Sequence, residues 1–431
     1  MFDNPKLYKL SNGIRVLLDP IPSIESTAMY VMVGTGSRNE LPAAPGRKSE
    51  LGISHVLEHM AFKGTSRRDS HQISREIADN GGLINAYTSY DVTAYHIVLL
   101  QDRLDFAMDI LSDIVLNSTF PEDELKKEKS VILQEILMYM DIPDAETEKL
   151  LSEVVFPGGG LGHDVAGTME SVFGIERDDI LAYQKATYSA ENTIISLSGA
   201  GLGNPEEILA KLEKLFGGMQ KSAPRDYIRS SYHQGVACKL KPELEHTYLK
   251  VAWESFPCSE RDKTLNAKLA SAILGFGMHS RLFEEVREKQ NLVYSVAMGN
   301  TAFEDVGMVQ INAQTTPDNV EKTFAACAKI ITELKTNPLT DEELSRTKAV
   351  YRASKTIGME NPEARADYFA HQMLMFGGME DLRTQLENID RAQLGDVMSV
   401  VSEIVSKTPT IIAYGAENSC VPDSSANLFV K

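Results

Sequence analysis

The sequence predicts an α+β fold built from two related domains. At 431 residues the chain is too long for one hydrophobic core, and its hydrophobic content of 43% is that of a globular protein. Strand-like and helix-like segments recur in a similar order in the two halves, which indicates a duplicated unit. The predicted domains are residues 1–218 and 237–431, joined by a polar, turn-rich linker at residues 219–236.

In the first half, β-branched and aromatic runs predict strands, and longer amphipathic segments predict helices. The strands are expected within residues 6–36, over 84–100 and over 193–197. The helices are expected near residues 70–80, 103–117 and 178–188.

The second half repeats this order after the linker. Strands are expected near residues 236–253, 292–301 and 306–314. Helices are expected near residues 263–275, 280–289, 317–335 and 340–356.

A metal-binding motif lies at residues 55–59, which read His-Val-Leu-Glu-His. This H-x-x-E-H pattern is the inverted form of the zinc-protease signature. In a helix His55 and His59 are four residues apart, so both imidazoles project from one face and can bind one metal ion. Glu58 lies beside that face, where its carboxylate can act as a base on water. The apolar flanking residues favour a buried helix over a solvated helix with two surface histidines.

A second helix is predicted over residues 121–140, because acidic residues follow Pro121 and no Gly or Pro interrupts the rest. On a helical wheel, Glu128 and Glu135 fall on the apolar stripe together with Tyr139. Buried carboxylates need partners, and a metal with its histidine ligands would supply them. Composition does not choose which acid is the ligand, and pairing with Lys or Arg of a neighbouring helix is the alternative.

Around these residues the chain resembles the inverzincin metallopeptidases, which include pitrilysin, the insulin-degrading enzymes and the mitochondrial processing peptidase. The resemblance is carried by GISHVLEHMAFKGT at residues 52–65, followed by Glu135, and supported by residues 81–96 and 280–296. It implies the short two-domain branch of that family. The implied fold is two related sandwich domains, each an antiparallel sheet covered by helices.

The resemblance also implies roles around the metal. His55, His59 and Glu135 are the implied zinc ligands, so Zn²⁺ is the implied cofactor. Glu58 is the implied general base, which then donates a proton to the leaving amine. Glu128 matches the second acid of the family's helix and is the implied partner of a metal-bound histidine.

For the substrate, the resemblance implies that Arg287 and Tyr294 hold the peptide and its developing oxyanion. Without it, Arg287 is an ordinary helix charge and Tyr294 a core strand residue. Asn85, Ala86 and Thr88 match the family's edge strand, which pairs with extended substrate backbone. The alternative is an ordinary strand, since this segment is rich in strand-forming residues.

Charge and composition restrict partners and location. The net charge of −18 argues against binding to nucleic acid or to anionic membranes. No apolar run reaches the length of a membrane span, and the N-terminus has no basic region followed by an apolar stretch, so we expect a cytoplasmic protein. The four cysteines are scattered without a metal-binding spacing, and we expect buried free thiols.

These observations predict a zinc-dependent endopeptidase that hydrolyses peptides or unfolded segments in a chamber. A presequence-processing peptidase is one alternative. A non-catalytic structural subunit, as in the core proteins of respiratory complexes, is another, but such proteins have lost metal residues that this chain keeps. Because the metal residues and the Arg287–Tyr294 pair lie on one chain, we expect a homodimer, with a different partner subunit as the alternative.

Overall fold

The computed structural model of the protein describes residues 4–223, 225–416, 419 and 423–429. In chain order, the strands of this part are β1 (Lys6–Lys9), β2 (Arg15–Pro20), β3 (Ser26–Val33), β4 (Leu83–Thr88), β5 (Thr93–Leu100), β6 (Thr193–Gly199), β7 (Val236–Leu240), β8 (Thr247–Ser255), β9 (Val293–Ala302), β10 (Gly307–Thr315) and β11 (Thr410–Gly415).

The helices surround these strands. In chain order they are α1 (Ile53–Met60), α2 (Ser70–Asp79), α3 (Leu104–Leu116), α4 (Glu122–Met140), α5 (Pro143–Val155), α6 (Met169–Gly174), α7 (Arg177–Thr187), α8 (Pro205–Phe216), α9 (Arg261–Gly275), α10 (Val320–Thr332), α11 (Asp341–Gly358), α12 (Pro362–Phe376), α13 (Leu382–Arg391) and α14 (Leu394–Val405). A π-helical segment, Phe283–Lys289, precedes β9. No helix in the described part of the chain has the length and apolar character of a membrane span.

The chain forms two compact units that are discontinuous in sequence. Unit 1 consists of Met1–Leu137, His163–Ile228 and Lys355–Thr384. Unit 2 consists of Met138–Gly162, Arg229–Ser354 and Gln385–Lys431. The predicted domains, 1–218 and 237–431, are each continuous in sequence. They therefore do not allow for residues 138–162, which belong to unit 2, or residues 355–384, which belong to unit 1. The described residues of the predicted linker, 219–236, are largely without regular secondary structure, and the units divide within it.

Unit 1 contains a six-stranded sheet in the order β1-β2-β6-β3-β5-β4. Its strands pair antiparallel except for β2 and β6, which are parallel. On one face α1 and α3 contact the sheet, α7 packs on α1 and α8 on α3, and apolar side chains of all four helices form one core with the sheet. The opposite face carries α12, which contacts β3 and β6. The edge strand β4 lies beside α1, so the sheet presents a free edge next to the H-x-x-E-H helix.

Unit 2 contains a five-stranded sheet in the order β7-β11-β8-β10-β9. Here β7 and β11 are the parallel pair, and the other neighbours are antiparallel. Helices α9, α10 and α14 contribute to the core of this unit, and α5 packs on β8 and β11. The α+β prediction is confirmed, with the correction that each sheet includes one parallel pair.

Most predicted helices are confirmed, and two details of the first half are wrong. Helix α4 covers the predicted segment 121–140, with Glu128 buried as expected. Tyr139, assigned to its apolar stripe, is 46% exposed. The single strand predicted over 84–100 is a hairpin, because a turn closed by the Ser89 N–H and the Val92 carbonyl separates β4 from β5.

The cysteine prediction is wrong in part. Cys238 is exposed on β7 and disulfide-bonded. Cys327 is a buried free thiol, and Cys258 is a partly buried free thiol. Cys420 lies outside the described residues. The error arose because spacing along the chain does not reveal which side chains the fold brings together.

Candidate metal centre

Helix α1 begins at a backbone conformation that favours glycine. Gly52 has a φ of 87°, and a Cβ atom at this position would lie 2.6 Å from the Ala166 carbonyl oxygen. The buried carboxylate of Glu40 accepts hydrogen bonds from the backbone N–H groups of Gly52 and Ser54, at 2.6 and 2.9 Å. It therefore caps the N-terminus of α1 from outside the helix. Burial raises the pKa of Glu40 to about 8, although these N–H donors oppose the rise.

The three predicted metal ligands, two on α1 and one on α4, lie close together and are partly buried. The Nε2 atoms of His55 and His59 are 3.2 Å apart. The Oε2 atom of Glu135, on α4, lies 3.7 Å from the first and 3.6 Å from the second. Among the described residues, these three form the one group of His, Cys, Asp or Glu side chains close enough to share a metal ion.

The donor atoms fit a zinc ion. Two imidazole nitrogens and one carboxylate oxygen are a ligand set of catalytic zinc sites, which keep a further position for water or substrate. Burial and the neighbouring His59 lower the pKa of His55 to about 4, so its imidazole is neutral and able to ligate at neutral pH. Two Nε2 atoms facing each other at 3.2 Å need a cation or a proton between them.

Glu128 anchors the other side of His59. Its Oε1 atom is 2.8 Å from Nδ1 of His59, and its Oε2 atom is 2.6 Å from Nζ of Lys63. Burial opposes ionisation of Glu128, but hydrogen bonds to His59 and Lys63 outweigh it and lower the pKa. For His59, burial opposes the charge, but the Glu128 hydrogen bond and the carboxylates of Glu58 and Glu135 raise the pKa. Glu128 thus occupies the position of a partner that orients a histidine.

Glu58 lies on α1 next to the ligand pair and is 8% exposed. The hydroxyl of Thr88, the last residue of β4, donates a hydrogen bond of 2.7 Å to its Oε2 atom. Burial raises the pKa of Glu58, against the opposing effects of the Thr88 hydrogen bond and of His59. A carboxylate that is partly desolvated and held in one orientation is suited to proton transfer.

The other two predicted substrate residues of unit 1 lie on the same edge strand. Asn85 is exposed, and its side-chain oxygen accepts a hydrogen bond from the backbone N–H of Ala86. Ala86 packs against the core of unit 1. The strand pairs with β5 along one side, as an edge strand that could accept an extended peptide would.

Arg287 and Tyr294 come together in unit 2. The guanidinium carbon of Arg287 lies 4.7 Å from the ring centroid of Phe283 and 6.0 Å from that of Tyr294. Tyr294 lies on β9 and is 71% exposed. Both residues line a cavity of about 280 Å³, together with His246 and Asn291. Their contact with a substrate stays a prediction.

Three contributions to the site escaped the sequence analysis. Lys63 lies within the matched segment 52–65, and its place one turn after His59 was an available signal. Glu40 had no local signal, because it caps a helix that begins thirteen residues later. Thr88 was predicted to bind substrate, which stays a prediction, but the contact of its side chain with Glu58 was not predicted.

Family models match most of the chain. Residues 15–169 match the model described as Insulinase (Peptidase family M16), and residues 174–351 match the Peptidase M16 inactive domain. An uncharacterized zinc protease of Rickettsia felis is 31% identical over 415 residues, covering 96% of this chain and 98% of that protein. The uncharacterized zinc protease YmxG of Bacillus subtilis is 29% identical over 402 residues, covering 93% and 96%.

Solved structures share the fold. A protease from Helicobacter pylori has a TM-score of 0.86 at 20% identity, covering 96% of this chain and all of that chain. A chain of Complex III2 from Candida albicans has a TM-score of 0.83 at 21% identity, covering 98% and 99%.

Fold and site together define the short two-domain form of the inverted zinc metallopeptidases, the inverzincins. The chain belongs to peptidase family M16. Its cofactor is Zn²⁺, in keeping with the relatives named zinc proteases.

Proposed function

We propose that this protein is a zinc-dependent endopeptidase that hydrolyses peptides or unfolded segments in a chamber. The observation that carries the proposal is the convergence of His55, His59 and Glu135 beside a buried, hydrogen-bonded Glu58. A structural ligand set alone would not require a partly desolvated carboxylate next to it. A base at that position is what hydrolysis by an activated water requires.

Metal binding and proton transfer are assigned to different residues. His55, His59 and Glu135 would hold the ion, which when bound supplies Lewis-acid activation of water and of the scissile carbonyl. Glu58 takes the proton of the attacking water and returns it to the leaving amine. Its carboxylate is buried beside the ligand pair, and the Thr88 hydroxyl restricts its orientation.

Substrate binding is assigned to the two remaining groups of residues. The free edge of β4, at Asn85 and Ala86, would pair with extended backbone, which gives affinity with little side-chain preference. Arg287 and Tyr294 would hold the substrate and stabilise the oxyanion. A homodimer is the assembly that we propose, and a different partner subunit is the alternative.

Replacing Glu58 by Gln tests the proposal. The amide keeps the size of the side chain but cannot accept the water proton, so peptide hydrolysis should fall by at least about 10²-fold. Zinc content, measured by elemental analysis, should stay at the wild-type value. Glu170→Gln, at an exposed position on α6, is the matched control and should retain both activity and zinc. Retained turnover in Glu58→Gln would remove Glu58 from its role as base.

A second candidate, the presequence-processing peptidase, shares this active site. Comparing cleavage of an amphipathic basic presequence with that of short unstructured peptides would separate the two. A non-catalytic core-type subunit is the third candidate, and the fold alone is compatible with it because a Complex III2 chain has the same architecture. The complete set of metal residues, with Glu58, favours the peptidase.

A further inference from the structure

Helix α12 presents a polar stripe to the outer face of the unit 1 sheet. Glu363, Asp367 and His371 follow one another at intervals of four residues, and we call them the α12 stripe. Glu363 lies 3.2 Å from Nδ1 of His96, whose ring stacks on Tyr30 with the centroids 4.4 Å apart.

The other end of the α12 stripe holds Tyr87 of the edge strand. The Tyr87 hydroxyl donates a hydrogen bond of 2.5 Å to Oδ1 of Asp367, and Nε2 of His371 lies 2.9 Å from the same hydroxyl oxygen. Because the phenol has one proton, which Asp367 accepts, the His371 N–H is the donor in the second contact. Burial and the Asp367 carboxylate raise the pKa of Tyr87, so the phenol keeps that proton.

Tyr87 and Thr88 are neighbours on β4, so their side chains point to opposite faces of the sheet. Tyr87 is bonded to α12 on the outer face. Thr88 is bonded to Glu58 of α1 on the inner face. Two consecutive strand residues thus connect the anchor on α12 with the carboxylate beside the metal ligands.

The contacts of the Tyr87 hydroxyl hold a strand that lies at the edge of the sheet. Strand β4 is the edge strand, and its backbone hydrogen bonds fix it to β5 along one side. An edge strand open on its other side depends more on its side chains for a fixed position than a central strand does. The Tyr87 hydroxyl provides two such contacts immediately before Thr88.

We propose that Tyr87, held by Asp367 and His371, is a positioning residue that keeps Thr88 bonded to Glu58 and keeps the free edge of β4 in place for substrate. The proposal rests on the peptidase function proposed above. Tyr87 does not touch the reacting atoms. It acts through Thr88.

A double-mutant cycle in the full-length, zinc-loaded protein tests this inference. Tyr87→Phe keeps the ring but removes the hydroxyl and both of its hydrogen bonds, and kcat for a fluorogenic peptide should fall roughly three- to tenfold. In a Thr88→Val background the same substitution should have little further effect, because the link to Glu58 is already broken. Equal losses in both backgrounds would overturn the proposal.

Matched variants separate positioning from general damage. Asp367→Asn keeps a hydrogen-bond acceptor for the phenol and should retain most of the activity. Asp367→Ala leaves only His371 as a partner, so it should lower kcat in the same direction as Tyr87→Phe. Glu363→Gln, on the same stripe but facing His96 of β5, should stay within about twofold of wild type, because it leaves both partners of the Tyr87 hydroxyl in place. If Tyr87→Phe does not fold, Asp367→Ala in the two Thr88 backgrounds provides the same comparison.

Two readouts distinguish the failure of this inference from failure of the peptidase proposal. Amide hydrogen exchange over residues 83–88 should be faster in Tyr87→Phe than in wild type, whatever the activity, and unchanged exchange would contradict the positioning role. Wild-type protein that binds zinc and cleaves no peptide would sink the peptidase proposal instead. Wild-type activity with unchanged kcat in Tyr87→Phe would sink the positioning role alone.

Discussion

Lys63 shows how one side chain can decide the role of another. Glu128 and Glu135 lie on the same helix and have the same chemistry, yet the structure engages them differently. Glu128 is 6% exposed and is shared between Lys63 and His59, whereas Glu135 faces both Nε2 atoms. The ammonium group of Lys63 thus stabilises Glu128 as an anion directed at Nδ1 of His59 rather than at the ion.

Replacing Lys63 by Met should weaken zinc binding. Glu128 would lose its cationic partner in a buried position and hold His59 less firmly. We expect the dissociation constant for zinc to rise roughly 10-fold or more, as for other residues that orient a ligand. Competition with a chromophoric chelator measures it, and Lys63→Arg, which keeps the charge, should restore most of the affinity. Unchanged affinity in Lys63→Met would show that Glu128 needs no cation.

Glu40 predicts a pH dependence of stability. Burial raises its pKa from 4.5 to about 8 in the folded protein. The folded state therefore binds the proton more tightly than the unfolded state, and this stabilisation is complete below pH 4.5 and is lost as the pH rises through about 8. Relative to Glu40→Gln, which does not titrate, wild type should lose up to ~1.4 kcal/mol of unfolding free energy per pH unit in this window.

Urea unfolding at a series of pH values, with chelator present to remove the contribution of zinc, provides this comparison. Glu243→Gln, at an exposed position, is the control and should follow the wild-type curve. Parallel curves for wild type and Glu40→Gln would mean that the carboxylate is equally ionised in both states.

At the scale of elements, α12 is fastened to the unit 1 sheet by a buried ion pair. Arg365 donates two hydrogen bonds to Asp19 of β2, at 2.6 and 2.7 Å, and both side chains are 5% exposed. Ser198 of β6 also donates to Asp19. A buried charge that loses its partner is costly, so this pair fixes where α12 docks.

Arg365→Met should destabilise the protein by ~3–5 kcal/mol, because it leaves the Asp19 carboxylate buried without a cation. Adding Asp19→Asn removes the stranded charge, so the double variant should be more stable than Arg365→Met alone. Chemical denaturation of the three proteins measures the difference. A double variant less stable than the single one would show that Asp19 is adequately solvated or bonded without Arg365.

Prediction of elements succeeded where the signal is local. Residues 121–140 alone indicate the length of α4, its acidic first turn and the absence of a helix breaker. The apolar residues that flank the motif of α1 correctly indicated a buried helix. The hairpin β4–β5 was taken for one strand because its turn, at residues 89–92, lacks glycine and proline. Strand formers on both sides hid the reversal.

On the scale of the whole molecule, the exchange of helices between the halves could not be predicted. Helix α5 comes from the first half of the chain and belongs to unit 2, and α12 comes from the second half and belongs to unit 1. Polar contacts hold each in place, as Lys250 of β8 does with Asp144 and Glu148 of α5. Such pairs join residues about a hundred or more positions apart, beyond the range of periodicity and turn signals.

In the candidate site, too, the residues found from the sequence are those with a local pattern, and those missed are brought together only by the fold. His55, Glu58 and His59 were found from one pentapeptide, since helical spacing alone places them together. The choice of Glu135 as ligand came from a resemblance, and the structure adds the reason that Glu128 is engaged elsewhere. The roles of Glu40 and Tyr87 could not be predicted from the sequence, because their hydrogen-bond partners are distant along the chain and close only in the fold.

The central claim is that His55, His59 and Glu135 together hold one zinc ion. A crystal structure of the zinc-loaded protein, with anomalous data collected on both sides of the zinc absorption edge, tests this most directly. We predict one peak per chain, within bonding distance of the two Nε2 atoms and a Glu135 oxygen. A peak bound to Glu128 in place of Glu135, or no peak between the two histidines, would contradict the account.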